Sequence, residues 1–277
     1  MTAFRASFFI VALALATATS SLGQTKTTTK KTTTTKKTTT AKKPAAKPAA
    51  KPAPKPAATA KPAAPVVPAT PAAPPLTAEE ATAAVREALT LSVTRAVEAG
   101  GQPDGFNANP DIRLSFPPEA ELVATTLRGL KLGAVVDKFE VQLNRSAEAV
   151  APQAAAIYTA AVQRLAIADG LALVNTRESR VAAQLLKQQA MAQVQQELRP
   201  LMDAALEQTG AKQAFGELML RYKKIPLMTP ITTNLTDYAT PKTAEGIFTL
   251  IADEESRIRM NSSARSTPTL KKAFGPK

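Results

Sequence analysis

From residue 76 almost to the end of the chain, apolar residues recur at helical spacing. Thr77-Ala78-Glu79-Glu80 spells a capping box, in which the Thr77 hydroxyl takes the Glu80 amide and Glu80 reaches back. It predicts a helix to about Glu98, ended by Gly100-Gly101. Pro117-Pro118 predicts the start of a second helix that carries Leu122, Val123, Leu127 and Leu130, with Gly133 as its stop. A third follows with Val136, Phe139, Leu143, Ala147 and Val150 along one face. Pro152 marks its end and opens a fourth helix through Ile157, Ala160, Ala161 and Leu165.

The longest predicted element covers residues 178–208, with a stripe of Ala182, Leu186, Ala190, Val194, Leu198, Leu201 and Ala205. Pro200 lies inside it and predicts a kink, because it removes one amide and crowds the preceding turn. Gly210 closes this helix, and Phe215, Leu218, Met219 and Tyr222 place another, ended by Ile225-Pro226. Ala244, Ile247, Phe248, Ile251, Glu255 and Ile258 mark the last long helix, and Thr267-Pro268 caps a short terminal one. Period-two alternation is confined to Ile112-Arg113-Leu114-Ser115-Phe116, too short a run to build a sheet. The expected fold class is all-α, one multi-helix bundle over residues 76–277.

Residues 101–117, GQPDGFNANPDIRLSFP, form a long connection between the first two helices, with turns at Pro103-Asp104-Gly105 and Asn109-Pro110. A loop of this length inside a compact domain needs a reason. Phe106, Ile112, Leu114 and Phe116 are expected to plug the end of the bundle. The functional alternative is that the loop lines a pocket, with Arg113 as its only cation.

The N-terminal quarter has a different character. Residues 1–7 carry one charge, Arg5, and residues 8–16 read FFIVALALA, followed by the small residues Ala18, Ser20, Ser21 and Gly23. This is the pattern of a secretory signal peptide over residues 1–23. The apolar run is far below the roughly 20 residues that span a bilayer, so no transmembrane segment is expected in the mature chain. Export to the periplasm or to the outer-membrane side follows. Cysteine is absent, so an exported chain of this kind holds together by packing alone.

Charge is distributed unevenly. Of the 35 Lys and Arg residues, twelve lie in residues 1–75, which hold no acid; the remaining 23 face 22 acids, a net +1. Residues 24–75 form a low-complexity tail. Lysine pairs Lys30-Lys31, Lys36-Lys37 and Lys42-Lys43 punctuate threonine runs, and Lys-Pro-Ala units follow. Such a composition buries too little apolar area to offset chain entropy, so disorder is expected. These six lysines are candidates for diffuse polyanion binding. The expected partners are anionic envelope components, lipid head groups and wall polymer, with nucleic acid bound only non-specifically by counterion release. A solvated spacer is the simpler alternative for the tail. The folded part offers no overall basic field.

Histidine is also absent, which removes Ser-His-Asp and Cys-His relays, zinc sites built on His or Cys, and haem ligation through them. No phosphate-binding loop or dinucleotide fingerprint is present, and no cofactor is expected. Carboxylate chemistry remains, and Glu254-Glu255 lie beside Arg257 and Arg259. Adjacent helical residues point about 100° apart, so one of the pair is expected to face solvent. Glu255 shares the apolar stripe with Arg259 four residues on, and an ion pair is the simpler reading. With no Trp and 4% aromatics, sugar-stacking surface is scarce.

Asn144-Arg145, Arg221-Tyr222, Asn261 and Arg265 are expected to cap helix ends or tie loops down. The alternative is a polar mouth over an apolar cavity, with Arg113, Asn144, Arg145 and Tyr222 as its ligand-binding residues. The functional expectation is an exported, non-enzymatic envelope protein on a polycationic arm. A carrier of a lipid or small hydrophobe, and a carboxylate-dependent wall hydrolase or lyase, are its alternatives.

Four segments together resemble a known family: GQPDGFNANPDIRLSFP, LGAVVDKFEVQLNRSAEAVAP, LRPLM and LTDYATPKTAEGIFTLIADEESRIRMNSSARSTPTLKKAFG. They resemble the bacterial domain-of-unknown-function family numbered 4197, over about residues 76–275. The most specific pieces are residues 101–117, 139–149 and 237–275. The resemblance implies an all-helical domain, usually behind a signal peptide, in Gram-negative-type bacteria, and it implies no activity. It departs over ADGLALVNTRESRVAAQLLKQQ, where Gly170 follows Asp169, Thr176 follows Asn175, and Leu185-Leu186 stand where aromatics are common.

Overall fold

The computed structural model describes residues 75–227 and 231–276. The signal-peptide reading, the tail and its six candidate lysines lie outside the described residues. Within them the domain is helical and contains no strand. Its elements are α1 (Ala78–Gly101), α2 (Glu121–Gly129), α3 (Gly133–Gln153), α4 (Ala155–Arg164), α5 (Gly170–Asn175), α6 (Val181–Gln208), α7 (Ala211–Lys223), α8 (Leu235–Met260) and α9 (Pro268–Phe274), with short 3-10 turns at Pro118–Ala120 and Ser262–Ala264.

Four long helices make the frame. α1, α3, α6 and α8 form a ring in which each packs on two neighbours, while the diagonals α1/α6 and α3/α8 touch only lightly. α4 lies on α1 and α6, α5 and α9 on α1, and α7 on α3, with α2 against α3 and α7. The apolar stripes read from the sequence face inward: Ala81, Val85, Leu89 and Val93 of α1 meet Leu143, Leu186, Leu198, Ile247 and Ile251 in one core. Phe116 packs edge-on to Phe139 at 5.1 Å, and Phe215 joins them at 5.2 Å from Phe139, which ties the loop before α2 to α3 and α7.

Several boundaries differ from expectation, each for a local reason. The capping box at Thr77 forms as read. Gly133, however, opens α3 instead of stopping the helix before it. The stop comes two residues earlier. Lys131 adopts φ 62°, and the Leu132 and Lys131 amides return to the Leu127 and Arg128 carbonyls, a Schellman closure with lysine in the place usually held by glycine. Pro117-Pro118 starts a 3-10 turn that leads into α2, and Leu122 and Leu130 are exposed instead of facing the core. α3 continues through Pro152 to Gln153. α6 starts at Val181 and runs through Pro200.

α8 begins nine residues before Ala244, because Asn234 caps it by accepting from the Thr236 and Asp237 amides, and it continues through Pro241. The six-residue α5 has no counterpart in the sequence reading. Asp169 caps it by accepting from the Ala172 amide. Gly170 at its start lies so close to α1 that a Cβ there would stand 2.6 Å from the Thr82 amide nitrogen.

Candidate functional site

The long loop after α1 is not free. Phe106, Ile112, Leu114 and Phe116 are all buried, so the alternating run plugs the bundle as expected. Polar side chains of α3 then fasten it. The Asn144 carboxamide accepts from the Leu114 amide at 2.8 Å and donates to the Leu114 carbonyl at 2.9 Å. Glu148 accepts from the Phe106 and Asn107 amides at 3.2 and 3.1 Å. Arg145 bridges Glu148 at 2.6 Å and Asp104 at 2.8 Å. A hydrogen bond from Asn107, followed by the Arg145 charge, holds the Asp104 carboxyl below its usual range.

On the other flank, α8 contributes Tyr238, whose hydroxyl donates to the Ser115 carbonyl at 2.9 Å. Gly246 provides the close approach. A Cβ there would stand 2.8 Å from the Phe106 ring and 3.2 Å from the Ile112 Cβ. Because Ile112 and Leu114 point inward, Arg113 and Ser115 point outward, along the Tyr238, Lys242, Glu245 and Thr249 face of α8. The result is a cleft of about 260 Å³ between loop and helix.

Its walls mix charge and hydroxyl groups. Arg113 pairs with Glu140 at 3.3 Å, and Glu140 also takes Arg128 at 3.3 Å. Glu245 pairs with Lys187 at 3.0 Å, and that hydrogen bond lowers its carboxyl from the usual range. Burial raises the Tyr238 phenol. Since the phenol already donates to Ser115, it offers a ligand only its lone pairs. A second cleft, lined by Glu119, Thr233, Asn234 and Pro241, shares Tyr238 and Lys242 with the first. A third, more apolar one of about 620 Å³ is lined by Ile167, Leu173, Leu185 and Gln189 and opens to solvent.

The four residues considered for a ligand mouth do not converge. Arg113 lines the cleft. Asn144 is fully buried and committed to Leu114. Arg145 is held by Glu148 and Asp104, and Tyr222 is buried in the core on α7. Asn261 and Arg265 tie the end of α8. Asn261 accepts from the Ser263 amide at 3.0 Å, and Arg265 donates to the Ile258 and Arg259 carbonyls at 2.9 and 2.7 Å.

Glu254 and Glu255 are tied as well. Glu255 is fully buried. It accepts from the Ala182 and Ala183 amides at 3.1 and 2.7 Å and from Arg259 at 2.8 Å, so it caps α6 from α8. The Arg259 guanidinium also lies 4.8 Å above the Phe274 ring. Glu254 does not stand open to solvent as expected. It turns to Arg95 at 3.6 Å and Arg257 at 2.9 Å, because α1 packs along that side of α8.

Among the described residues no group of three acidic side chains is placed to hold a metal, and no helix is long and apolar enough to cross a membrane. The molecule is thus an all-α domain built on a four-helix ring, with a stapled loop and a mixed-charge cleft beside it. The family model described as "Protein of unknown function (DUF4197)" matches residues 75–275, and the chain belongs to that family. No curated protein and no solved structure matches the chain. Two of the segments that carry the resemblance, residues 101–117 and 237–275, supply the walls of the first cleft.

Proposed function

We propose that the protein is an exported, non-enzymatic cell-envelope protein, its helical domain carried on a polycationic arm that associates diffusely with anionic envelope polymers. The observation that carries this reading is the segregation of charge. Twelve basic residues and no acid lie in residues 1–75, against a net +1 beyond them. Within the domain many cations are used internally, as in the pairs of Arg128 with Asp137, Arg180 with Asp253 and Lys272 with Glu80. Arg86 is spent on the Val162, Gln163 and Leu165 carbonyls.

The test replaces Lys30, Lys31, Lys36, Lys37, Lys42 and Lys43 by alanine in the full chain. Binding to DNA and to purified wall polymer should fall steeply, and the parent's binding should weaken between low and physiological salt. Unchanged binding in the variant would remove the arm from the account. For export, the mature N-terminus should lie between Ser21 and Gln24, and a cytoplasmic chain beginning at Met1 would overturn it.

A carrier reading has one observation in its favour, the apolar groove at Ile167, Leu173 and Leu185. Native mass spectrometry of the purified protein would reveal a co-purified hydrophobe. The hydrolase alternative has no comparable support, since both carboxylates it would use are engaged in ion pairs.

A further inference from the structure

Among the described residues six large apolar side chains are exposed, and five of them fall on α2, α3, α7 and the turns that follow α2 and α7, the three helices packing on one another. Isolated exposed leucines need no explanation, whereas a concentration of them does. The concentration is greatest at the end of α7. Leu220 is 62% exposed and Leu227 is exposed completely. Leu227 also sits at φ 66°, a left-handed conformation that a branched side chain seldom occupies. One residue therefore bears both backbone strain and an unburied apolar side chain.

Between these leucines the chain places Arg221, Lys223 and Lys224, all exposed and without a side-chain partner among the described residues. Lys223 and Lys224 follow Leu220 by three and four positions, so they share its face of α7. The opposite face, with Leu218 and Tyr222, is locked in the core. Four residues before Leu220, Gly216 looks onto open space. On the neighbouring α2 Leu122 is exposed too, as is Leu130 in the turn just after it, with Lys131 next in the chain.

Cations in the last turn of a helix complement its dipole. That accounts for the charge and leaves the leucines unexplained. A hydrated polyanion such as DNA accepts the cations and gives the leucines nothing. An anionic bilayer surface accepts both, because phosphates meet the cations while the acyl boundary takes the apolar side chains.

We propose that the end of α7, with α2 beside it, is a docking surface for an anionic phospholipid bilayer, in which Leu220 and Leu227 enter the acyl boundary and Arg221, Lys223 and Lys224 meet lipid phosphates. This goes beyond the association assigned to the tail, which is purely electrostatic, and it stands on the surface of the domain alone.

The test uses the full chain, sedimented with vesicles of mixed phosphatidylglycerol and phosphatidylcholine, and separately titrated with DNA as a readout of the tail. Leu220→Ser/Leu227→Ser should lower mixed-vesicle affinity about tenfold or more, given the apolar area withdrawn from water, and leave DNA binding unchanged. Replacing Arg221, Lys223 and Lys224 by glutamine should also weaken vesicle binding and flatten its salt dependence. Met260→Ser, at the exposed apolar residue outside these elements, should leave vesicle binding as it was. All substituted positions are exposed, and unchanged thermal unfolding would confirm that the variants fold. The proposal is overturned if the double leucine variant keeps parental vesicle affinity, or if Met260→Ser lowers it equally. It is also overturned if the leucine variant alters only the oligomeric state in light scattering, which would assign the surface to a second copy of the chain. Failure of the lysine-tail variant in the DNA arm would sink the tail reading without touching this one.

Discussion

Asn144 holds Leu114 by both of its backbone polar groups, accepting from the amide at 2.8 Å and donating to the carbonyl at 2.9 Å. One side chain thus does for the loop what a neighbouring strand would do. Asn144→Ala leaves two buried backbone groups without partners, at roughly 1–3 kcal/mol each. Denaturant unfolding should show a loss of about 2–6 kcal/mol. Hydrogen exchange at the Leu114 amide should accelerate more than global unfolding explains. A variant as stable as the parent would mean that the apolar plug alone fixes the loop.

Two glycines on helices should respond to alanine in opposite directions. At Gly246 the new Cβ meets the Phe106 ring at 2.8 Å and Ile112 at 3.2 Å, so the loop must shift. An overpacking cost of about 1–3 kcal/mol is expected. At Gly216 the new Cβ meets nothing. There alanine should stabilise by up to about 1 kcal/mol through helix propensity. Thermal unfolding of the two variants side by side checks both signs.

The adjacent carboxylates of α8 should differ sharply in their importance. Glu255→Gln removes the charge that Arg259 faces inside the core and weakens the cap on Ala182 and Ala183. Its loss should approach about 3–5 kcal/mol, the cost of breaking a buried pair from one side. Glu254→Gln acts on pairs with Arg95 and the largely exposed Arg257, and should cost under about 1 kcal/mol. Equal effects in urea unfolding would contradict this division.

Stability should decline at both ends of the pH range for different reasons. Glu80 is held below its usual range by the Lys272 hydrogen bond, Asp203 by that of Thr236, and Glu245 by that of Lys187. A carboxyl depressed in the folded state binds protons more readily when unfolded. Its contribution is therefore present above the ordinary value and lost as pH falls through the folded one. The melting temperature should hold from neutral pH to about 5 and drop below about 4. Burial raises the Tyr158 phenol well above 10.0, so its contribution is complete below that pH and lost as pH climbs past it. Tyr158→Phe should remove part of the alkaline decline. It should also cost about 0.5–1.5 kcal/mol at neutral pH, because the hydrogen bond to the Ala244 carbonyl is lost.

What could be read in advance was local. The Thr77–Glu80 box lies within one turn, and the stripe of α6 repeats at a fixed period, so neither depends on distant residues. The burial of Phe106 and Phe116 followed from their apolarity in a loop too long to be idle. The end of α2 escaped because a lysine took the left-handed position, at Lys131, where composition points to glycine. Residues 235–243 of α8 escaped because Pro241 reads as a breaker, although Asn234 supplies a cap ahead of it. α5 is shorter than two turns and shows no period. At the site, Arg113 lies on the wall of the first cleft. Tyr238, Lys242 and Glu245 escaped because they lie more than a hundred residues from the loop they face, and one sequence holds no signal for such a meeting. A separation of 72 residues likewise hid the contact between Glu255 and Ala183 at the start of α6, although the partnership with Arg259, four residues on, was legible.

The ring of four helices closes through its last member. α8 packs on both α1 and α6, which touch each other only lightly, and it brings the carboxylate that covers the first turn of α6. A polypeptide emerges from a ribosome with its N-terminus first. At the moment when α1, α3 and α6 have all emerged, the frame still has three sides and α6 has an uncovered end. The ring itself cannot close in that partial chain, and closure waits for α8, which ends at Met260. The order of helices along the chain thus acts as a timer: the ring can set only when almost the whole of the domain has been made.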